Sequence, residues 1–434
     1  MTDLLSLSAR FIDSGASDGP RSTNRITTEL SEVAPGIAVV EAFSHVVAFT
    51  TEAGLVLFDT SLELFAPGIL KSLRAWSDER VHTIAYTHGH VDHVGGTGAI
   101  LEEARERKRP APRVIGHENL PARFDRYEQT QGYNAAINAR QFRRGLLRSS
   151  RAGGFGPSVW VRPDTTVRNR LRTRVGGLEL EFRHARGETD DHLWAWLPQQ
   201  KAICAGDFVT WVFPNAGNPQ KVQRYPLEWS RALREMAALE PELLLPAHGL
   251  PVGGTDRIRR VLDDLARGLE ILVEGTLRHM NDGEPLDRIL QAVTLPPALL
   301  EKPYMQPIYD EPEFVIRNIW RLYGGWYDGN PARLKPAPDA ALATEIAELA
   351  GGVPALAKRA RKLAEAGELR LACHLIELAT QAAPEDREAH AQRAWIYLRR
   401  RESELSLMAR GIYANAAKDS QSIAGIDPDS PPER

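Results

Sequence analysis

"THGHVDHVGG", residues 87–96, places three histidines and one aspartate within six residues and follows them with two glycines. Side chains of this kind at such density make a poor hydrophobic core and a crowded surface. Imidazole nitrogen and carboxylate oxygen together suit zinc, with manganese and iron as alternatives. His88 and His90 are two residues apart, so in an extended loop they point to the same side, and Asp92 and His93 can face a second point. The stretch predicts a metal site whose remaining ligands lie elsewhere in the chain.

The sequence around this stretch predicts an α/β arrangement. Residues 36–60 alternate short β-branched runs with turn residues, which predicts successive antiparallel strands. Residues 65–79 have apolar side chains at helical spacing, and "VHTIAYT" (81–87) predicts a strand that leads into the histidine-rich loop. Residues 96–109 then continue as a helix. A loop between a strand and a helix can aim several side chains at one point.

Strand patterns recur further along the chain. "LELEFRHA" (178–185) and "HLWAWLPQQKAICAGDF" (192–208) predict strands separated by a turn at "PQQK". Residues 227–239 predict a helix, and "PELLLPAHG" (241–249) predicts a short buried strand that ends in a loop. Beyond residue 255 the β pattern fades, and an amphipathic helix is predicted over 256–280.

The C-terminal part of the sequence is predicted to be helical. Residues 340–418 are rich in Ala, Leu, Glu and Arg, and 366–400 are similar to one helix pair of the tetratricopeptide kind, too little for a repeat array. We therefore expect four regions, with the following bounds: a loose polar arm at 1–30, an α/β metal-binding domain at 31–255, a helical domain at 256–418 and a disordered tail at 419–434.

Composition excludes several classes of protein. The 434 residues are 43% hydrophobic and 26% charged, with a formal net charge of −3, which gives no electrostatic basis for a dedicated nucleic-acid binder. Cys204 and Cys373 are the two cysteines, too few for a disulfide framework. The N-terminus has no apolar run long enough for a signal peptide, and no stretch approaches a membrane helix. A cytoplasmic location without membrane contact is the expectation.

The quartet "HGHVDH" resembles the HxHxDH motif of the metallo-β-lactamase superfamily. That resemblance implies an αββα sandwich with two metal ions at its rim, and three further ligands in loops that follow strands. "AICAGDF" offers Asp207 and "LLPAHG" offers His248. "HARGETDDH" aligns with a turn that usually carries histidine and places Glu188 there. With glutamate at this position the chain resembles the alkylsulfatase-like branch of the superfamily. In addition, "RLYGGWYDGNPARLKP" (321–336) resembles the signature of the alkylsulfatase dimerisation domain.

The resemblance implies two zinc ions with separate ligand sets. The first set would be His88, His90 and Glu188, the second would be Asp92, His93 and His248, and Asp207 would bridge the two ions. Asp92 and Asp207 would also be catalytic. Three other histidines lie near these segments and stay open as replacements, although packing or support of a ligand is the simpler role for each: His117, His184 and His192.

A pair of divalent ions suits hydrolysis with an activated water, so no serine or cysteine nucleophile is needed. The resemblance implies cleavage of an alkyl sulfate or related ester. Carboxylic esters, lactones, phosphoesters and β-lactams remain alternatives. Flavodiiron oxidoreductases share the fold but carry glutamate in place of His90 and a flavodoxin domain in place of the helices. A non-catalytic dimeric scaffold is a remote alternative. The seven candidate ligands argue against it, because a protein without catalytic activity has no reason to keep all of them.

The substrate is expected to be a small ester. Alkylsulfatases hold the sulfate with an asparagine and an arginine shortly after the bridging acid, and the resemblance implies Asn215 as that asparagine, with Lys221 or Arg224 as the candidates to substitute for the arginine. The sequence departs from the alkylsulfatases here, since they carry glutamate as the bridging acid and an arginine near the "NPQKV" segment. A sterol-carrier-like third domain is not expected. The arginines of 140–151 are either a solvated helix face or a lip that attracts anions. We also expect a homodimer formed through the helical half, with Trp326 and Tyr327 as anchors.

Overall fold

The computed structural model describes residues 3–142 and 155–427. These residues form two compact units. The first ends at Gly325 and the second begins at Trp326, and the described segment 136–142 groups with the second unit. All the candidate metal ligands belong to the first unit.

Two β-sheets form the centre of the first unit. The first sheet has seven described strands in chain order, antiparallel from β1 to β4 and parallel from β4 to β7. They are β1 (Leu30–Ala34), β2 (Ile37–Val40), β3 (Val46–Phe49), β4 (Leu55–Phe58), β5 (Val81–Ala85), β6 (Arg113–His117) and β7 (Thr165–Val167).

The second sheet has six described strands in the spatial order β13-β12-β11-β10-β9-β8, and only the β11–β12 pair among them is parallel. They are β8 (Arg170–Val175), β9 (Leu178–His184), β10 (Leu193–Leu197), β11 (Ala202–Gly206), β12 (Leu243–Pro246) and β13 (Val252–Gly253).

Helices surround the sheets and make up the second unit. In chain order they are α1 (Leu4–Ser14), α2 (Pro20–Thr23), α3 (Ala66–Trp76), α4 (Val91–Val94), α5 (Thr97–Glu106), α6 (Leu120–Gln129), α7 (Gln131–Gln141), α8 (Pro226–Ala238), α9 (Thr255–Asn281), α10 (Leu286–Ala292), α11 (Pro297–Leu300), α12 (Pro312–Gly324), α13 (Asp339–Leu349), α14 (Val353–Glu365), α15 (Leu369–Ala382), α16 (Arg387–Glu402) and α17 (Leu407–Ala424).

The first sheet is buried on both faces, as a sheet packed between layers must be. On β3, Val47 and Phe49 enter the core shared with the second sheet, whereas Val46 and Ala48 enter a separate core with residues of α3 and α5. Strand alternation therefore sends successive side chains into two different layers. The expected αββα sandwich is confirmed, and the expected helical C-terminal region follows it.

The predicted strands and helices around the histidine-rich loop are present as β2–β5, α3 and α5, and those of the later segment as β9–β12 and α8. Strands β1, β6 to β8 and β13 were not predicted. On β8, the arginines at 170, 172 and 174 are partnered by acidic residues at 179 and 181. An exposed edge strand that carries charges lacks the apolar alternation by which a strand is recognised.

The expected loose arm at 1–30 is wrong for its first part. Asp3 caps α1 by accepting a hydrogen bond from Ser6 N, and Leu4, Phe11 and Ile12 are buried in the core shared by the two sheets. The apolar side chains recur at helical spacing, but a helix this short is stabilised by packing rather than by its own sequence.

The expected boundary at 255/256 marks a change of secondary structure and not the end of a compact unit. Helix α9 begins at Thr255 and buries Ile258, Val261 and Leu265 in the same core as the second sheet. The first unit consequently runs on to Gly325. An amphipathic helix needs an apolar partner, and here the adjacent sheet supplies it.

The expected disordered tail at 419–434 is also partly wrong, because α17 continues to Ala424 and ends at Gly425 with a φ of 73°. Residues 428–434 lie outside the described part of the chain. Among the described helices none alone is long and apolar enough to cross a bilayer. Only α13 and α14 taken together, bent by 87°, reach that length and composition.

Candidate metal centre

The candidate ligands come from four loops that follow strands of both sheets. His88 and His90 lie in the turn after β5, and Asp92 and His93 lie in the short helix α4 that follows it. Glu188 lies in the turn between β9 and β10. The remaining two lie beyond the parallel strands of the second sheet: Asp207 directly after β11, and His248 two residues after β12.

The seven predicted ligands form two clusters in which ligand atoms lie within 4.8 Å of one another. The first cluster contains His88, His90, Glu188 and Asp207, and the second contains Asp92, His93 and His248. Within the first, His88 Nε2 lies 2.8 Å from His90 Nδ1. Within the second, Asp92 Oδ2 lies 3.3 Å from His248 Nε2 and 3.5 Å from His93 Nε2.

Asp207 faces both clusters with different oxygens. Its Oδ1 lies 3.4 Å from His93 Nε2 and 3.5 Å from His248 Nε2, and its Oδ2 lies 3.9 Å from His88 Nε2. This is the arrangement that a carboxylate shared by two cations requires. The assignment of Asp207 as a bridge, like that of the other six ligands, remains a prediction.

The residues present fit divalent cations. His93 Nε2 and Asp207 Oδ1 are buried and make no hydrogen bond with any described residue. A buried polar atom without a partner costs stability, and a metal ion would satisfy both atoms at once. The donors are imidazole nitrogens and carboxylate oxygens, which suit zinc.

Opposite charges are collected around the second cluster. Burial by itself would lower the pKa of His93, but the carboxylates of Asp207, Asp92 and Asp59 raise that pKa well above its usual value. Burial likewise opposes protonation of His248, whose pKa is raised by Asp207 and Asp92. The second cluster therefore attracts positive charge, which is the electrostatic condition for binding a cation.

The first cluster has a positively charged side chain beside it, that of Arg224. Glu188 Oε1 accepts hydrogen bonds from Asn215 Nδ2 and from Arg224 Nη2, the latter at 3.1 Å, and the Glu188 carbonyl accepts from Arg224 Nη1 at 3.0 Å. Burial raises the pKa of Glu188 well above its usual value, and the Arg224 guanidinium opposes that rise. Two of the residues predicted to bind substrate thus contact a candidate ligand.

Asp59 is a residue of the site that the sequence analysis missed. It follows β4 and is buried, and its Oδ2 accepts a hydrogen bond from His93 Nδ1 at 2.7 Å. It also accepts from Thr87 N and Thr87 Oγ1, both at 2.7 Å. A carboxylate on the far nitrogen fixes the orientation of a ligating imidazole. The sequence feature that could have identified Asp59 is an acidic residue in "LFDTS", at the end of a buried strand.

The three histidines left open as replacements are occupied elsewhere. The rings of His117 and His184 stack at 3.9 Å, and their Nε2 atoms bond to the carbonyls of Arg168 and Asp190. His192 Nε2 accepts a hydrogen bond from Asp207 N at 3.1 Å. None of the three belongs to a described ligand cluster.

Lys221 lies near the centre without belonging to it. Its ammonium group is 5.9 Å from the centre of the Phe155 ring. Burial and the Arg224 charge lower the pKa of Lys221 to about 8, while Glu188 and Asp92 act in the opposite direction. Of the arginine-rich stretch 140–151, residues 143–151 lie outside the described part of the chain.

Comparison with known families agrees with this arrangement. Residues 39–248 match the metallo-beta-lactamase superfamily, and residues 286–422 match the alkyl sulfatase dimerisation family. The chain is thus similar to the metallo-β-lactamase superfamily in its α/β part and to the alkylsulfatases in its helical part. The histidine-rich loop, the turn with Glu188 and the strand ends with Asp207 and His248 all fall within the first match.

Two curated relatives span most of this chain. A linear primary-alkylsulfatase of Pseudomonas sp. is 26% identical over 383 residues, which are 84% of this chain and 72% of the relative. An (R)-specific secondary-alkylsulfatase of Pseudomonas sp. is 27% identical over 393 residues, 84% of this chain but 58% of the relative. The chain thus spans little more than half of the second relative.

The fold also matches a solved structure. The stereoselective inverting sec-alkylsulfatase Pisa1 from Pseudomonas sp. superposes with a TM-score of 0.77 at 24% identity, covering 92% of this chain and 66% of that protein. At this identity the likeness concerns the fold. The expectation of a sandwich followed by helices, drawn from the sequence motifs, is confirmed by it.

Proposed function

We propose that this protein is a dinuclear zinc hydrolase that cleaves alkyl sulfate esters. The observation that carries the proposal is the pair of ligand clusters that share Asp207. The family matches support the choice of ester, because both halves of the chain resemble alkylsulfatases rather than one half alone.

A pair of divalent cations at such a site activates water and neutralises negative charge on the substrate. The protein's part is to hold the ligands in place before substrate arrives. Asp59 fixes the ring of His93, and Arg224 with Asn215 fixes the carboxylate of Glu188. Ligands held in this way need little reorganisation during the reaction.

The charges beside the centre favour an anionic substrate. Arg224 contacts Glu188, and Lys221 is close enough to interact electrostatically with both Glu188 and Asp92. Cations of this kind bind sulfate or phosphate oxygens through charge-assisted hydrogen bonds. Since Arg224 already contacts Glu188, Lys221 is the side chain that we assign to the substrate head. The assignment of Asn215, Lys221 and Arg224 to substrate binding remains a prediction.

An apolar cluster beside the second set of ligands favours an alkyl group on the substrate. It contains Leu62, Val91, Tyr127 and Phe155, and Phe43 packs against it. Val91 lies between His90 and Asp92 in sequence, and the Phe43 ring meets the His248 ring edge-on at 5.9 Å. Lys221 lies over Phe155. An anionic head with an apolar tail matches this juxtaposition of surfaces.

A panel of esters assayed on the zinc-loaded enzyme tests the proposal. We expect turnover of primary or secondary alkyl sulfates and little turnover of carboxylic esters, lactones, phosphoesters or β-lactams. His88→Ala should remove the activity, which guards against a contaminating sulfatase. Turnover of another ester class alone would contradict the sulfatase assignment, and no turnover in any class would favour the scaffold alternative.

The bond that breaks is tested with ¹⁸O-labelled water and a chiral secondary alkyl sulfate. We expect the label in the alcohol with inverted configuration, because sulfate can leave from carbon once its charge is held by the protein. Label in the released sulfate would instead show attack at sulfur.

We further propose a homodimer formed through the second unit. Its exposed apolar side chains include Trp326, Leu334 and Leu349, and Trp326 is 70% exposed. Large apolar side chains in solvent at this density mark an interface. Light scattering should give twice the monomer mass, and Trp326→Asp should lower that mass. Leu64→Asp is the matched control, since Leu64 is also 70% exposed but lies in the first unit.

A further inference from the structure

A buried ion pair holds the backbone between the first two histidines. Asp191 Oδ2 accepts a hydrogen bond from Gly89 N at 3.1 Å and another from Arg123 Nε at 2.9 Å. Both side chains of the pair are almost wholly buried. Gly89 lies between His88 and His90 in sequence. A hydrogen bond that fixes the Gly89 N–H group therefore also fixes the backbone from which both imidazole side chains extend.

Close packing reinforces that contact. A Cβ on Gly89 would lie 2.7 Å from Arg123 Cδ and 2.9 Å from Asp191 Oδ2, so the loop fits tightly against the pair. Asp191 lies three residues beyond Glu188, in the turn between β9 and β10. The same turn therefore supplies one ligand of the first cluster and anchors the loop of two others.

A different device holds the second cluster. The tip of the β2–β3 hairpin, residues 42–45, lies against the loop after β12. His45 N donates to the Ala247 carbonyl at 2.6 Å, and His45 Nε2 donates to the Gly249 carbonyl at 2.8 Å. These two carbonyls flank His248.

Ser44, the residue before His45, contacts the loop that carries Asp92, another residue of the second cluster. Ser44 Oγ donates to the backbone carbonyl of Asp92. Ser44 and His45 are both buried. Two adjacent residues at the tip of one hairpin thus bind the backbone of the Asp92 loop and of the His248 loop, which are distant in sequence.

We propose that Arg123 and Asp191 are positioning residues for the first metal position, and that Ser44 and His45 are positioning residues for the second. We call these pairs the first and the second clamp. Neither clamp contains a predicted ligand, and each acts through the backbone of a ligand loop. The proposal rests on the metal site of the proposed function and adds that the two positions are supported separately.

Separate support has a measurable consequence. Groups that orient metal ligands typically contribute 10- to 100-fold to metal affinity. If each clamp serves one position, its loss should weaken that position and leave the other unchanged. A general loss of stability would instead weaken both positions together, so the pattern across positions distinguishes positioning from folding.

The experiment isolates each position with a ligand variant. His248→Ala leaves the first position for study, and His88→Ala leaves the second. Zinc affinity is measured in each background by competition with a chromophoric chelator. Asp191→Ala should weaken zinc about 10- to 100-fold in the His248→Ala background and change it less than about threefold in the His88→Ala background. His45→Ala should show the reverse pattern.

Conservative variants provide the control for folding. Asp191→Asn keeps the size of the side chain and an oxygen that can accept from Gly89 N, and His45→Gln keeps a donor for the Gly249 carbonyl. Each should restore most of the affinity that the alanine variant loses. Thermal unfolding of the metal-free protein shows whether an alanine variant folds. If it does not, the conservative variants replace it: Asp191→Asn should still lower zinc affinity slightly at the first position only, and His45→Gln at the second position only.

Three results would overturn the inference. Equal loss at both positions in every variant would show a structural role alone, and unchanged affinity would show that the clamps do not act on the ligands. If the unaltered protein binds no zinc, the proposed function fails as well. If it binds two equivalents and the variants do not discriminate between positions, the clamps alone are disproved.

Discussion

The two ligand clusters differ in what balances their negative charge. In the first, the guanidinium of Arg224 lies 3.1 Å from the carboxylate of Glu188. In the second, the carboxylates of Asp92 and Asp59 face the ring nitrogens of His93. A cation that enters the second cluster competes with protons, whereas one that enters the first lies beside the Arg224 guanidinium.

We expect this difference to give the two proposed metal positions separate tasks. A site whose acids are balanced by protons can exchange them for a metal ion without leaving a positive charge behind. A site that retains an arginine beside the metal collects excess positive charge, which suits the negative head of a sulfate ester. The second position is therefore expected to bind metal more tightly, and the first to lie closer to the substrate head.

Asp207 faces residues of both clusters, so its removal should have the largest effect. Asp207→Ala removes the carboxylate that faces both clusters. We expect the metal content to fall from about two equivalents to one or fewer and turnover to fall to background. Metal analysis of purified protein measures the first, with exposed Asp282→Ala as control. Full metal content in Asp207→Ala would disprove the bridge.

Removing the charge behind His93 should affect only the second position. Asp59→Asn keeps the shape of the side chain but loses the charge that orients the imidazole through Nδ1. We expect zinc affinity about 10- to 100-fold weaker at the second position and unchanged at the first. The single-position backgrounds His88→Ala and His248→Ala provide the measurement. A loss shared equally by both positions would contradict the separation of the two clusters.

Changing the acid of the first cluster should alter its pH dependence. Glu188→His replaces a charged ligand with a neutral one and leaves the centre one unit more positive. The pKa of the attacking water should fall, so the limb of the rate profile at low pH should move to lower pH. An unchanged profile, in a variant that retains its metal, would argue that Glu188 is not a ligand.

The smallest expected effect concerns acid stability through the second clamp. Burial lowers the pKa of His45 to about 3 from an ordinary value of 6.5. Below pH 6.5 the unfolded chain takes up a proton that the folded protein excludes. Stability is therefore complete above pH 6.5 and falls by about 1.4 kcal/mol per pH unit as the pH drops towards 3.

In the metal-free protein, His45→Gln should remove the part of the acid-dependent loss of stability that comes from His45. Urea unfolding at pH 7 and pH 5 measures the change in the free energy of unfolding between the two values, which should be smaller in the variant. Exposed His374→Gln, in the second unit, is the control and should leave the change as it is. Equal slopes in all three proteins would show that His45 is not buried as a neutral side chain.

The sequence by itself determined the local parts of this protein. Alternating β-branched runs marked β2–β5, and "HGHVDH" with the strand ends at Asp207 and His248 identified the ligand loops. These features are local because a metal motif and a strand each depend on spacing within a few residues. All seven predicted ligands lie in the two clusters.

Only the tertiary structure decided which residues support those ligands. His45 and Gly249 are 204 positions apart, and Asp191 and Gly89 are 102 apart. No local pattern links such pairs, since the contact exists only once two sheets have packed and brought their loops to one rim. For the same reason α1 was missed and the first unit was expected to end too early. Their apolar faces are explained only by the core that they join.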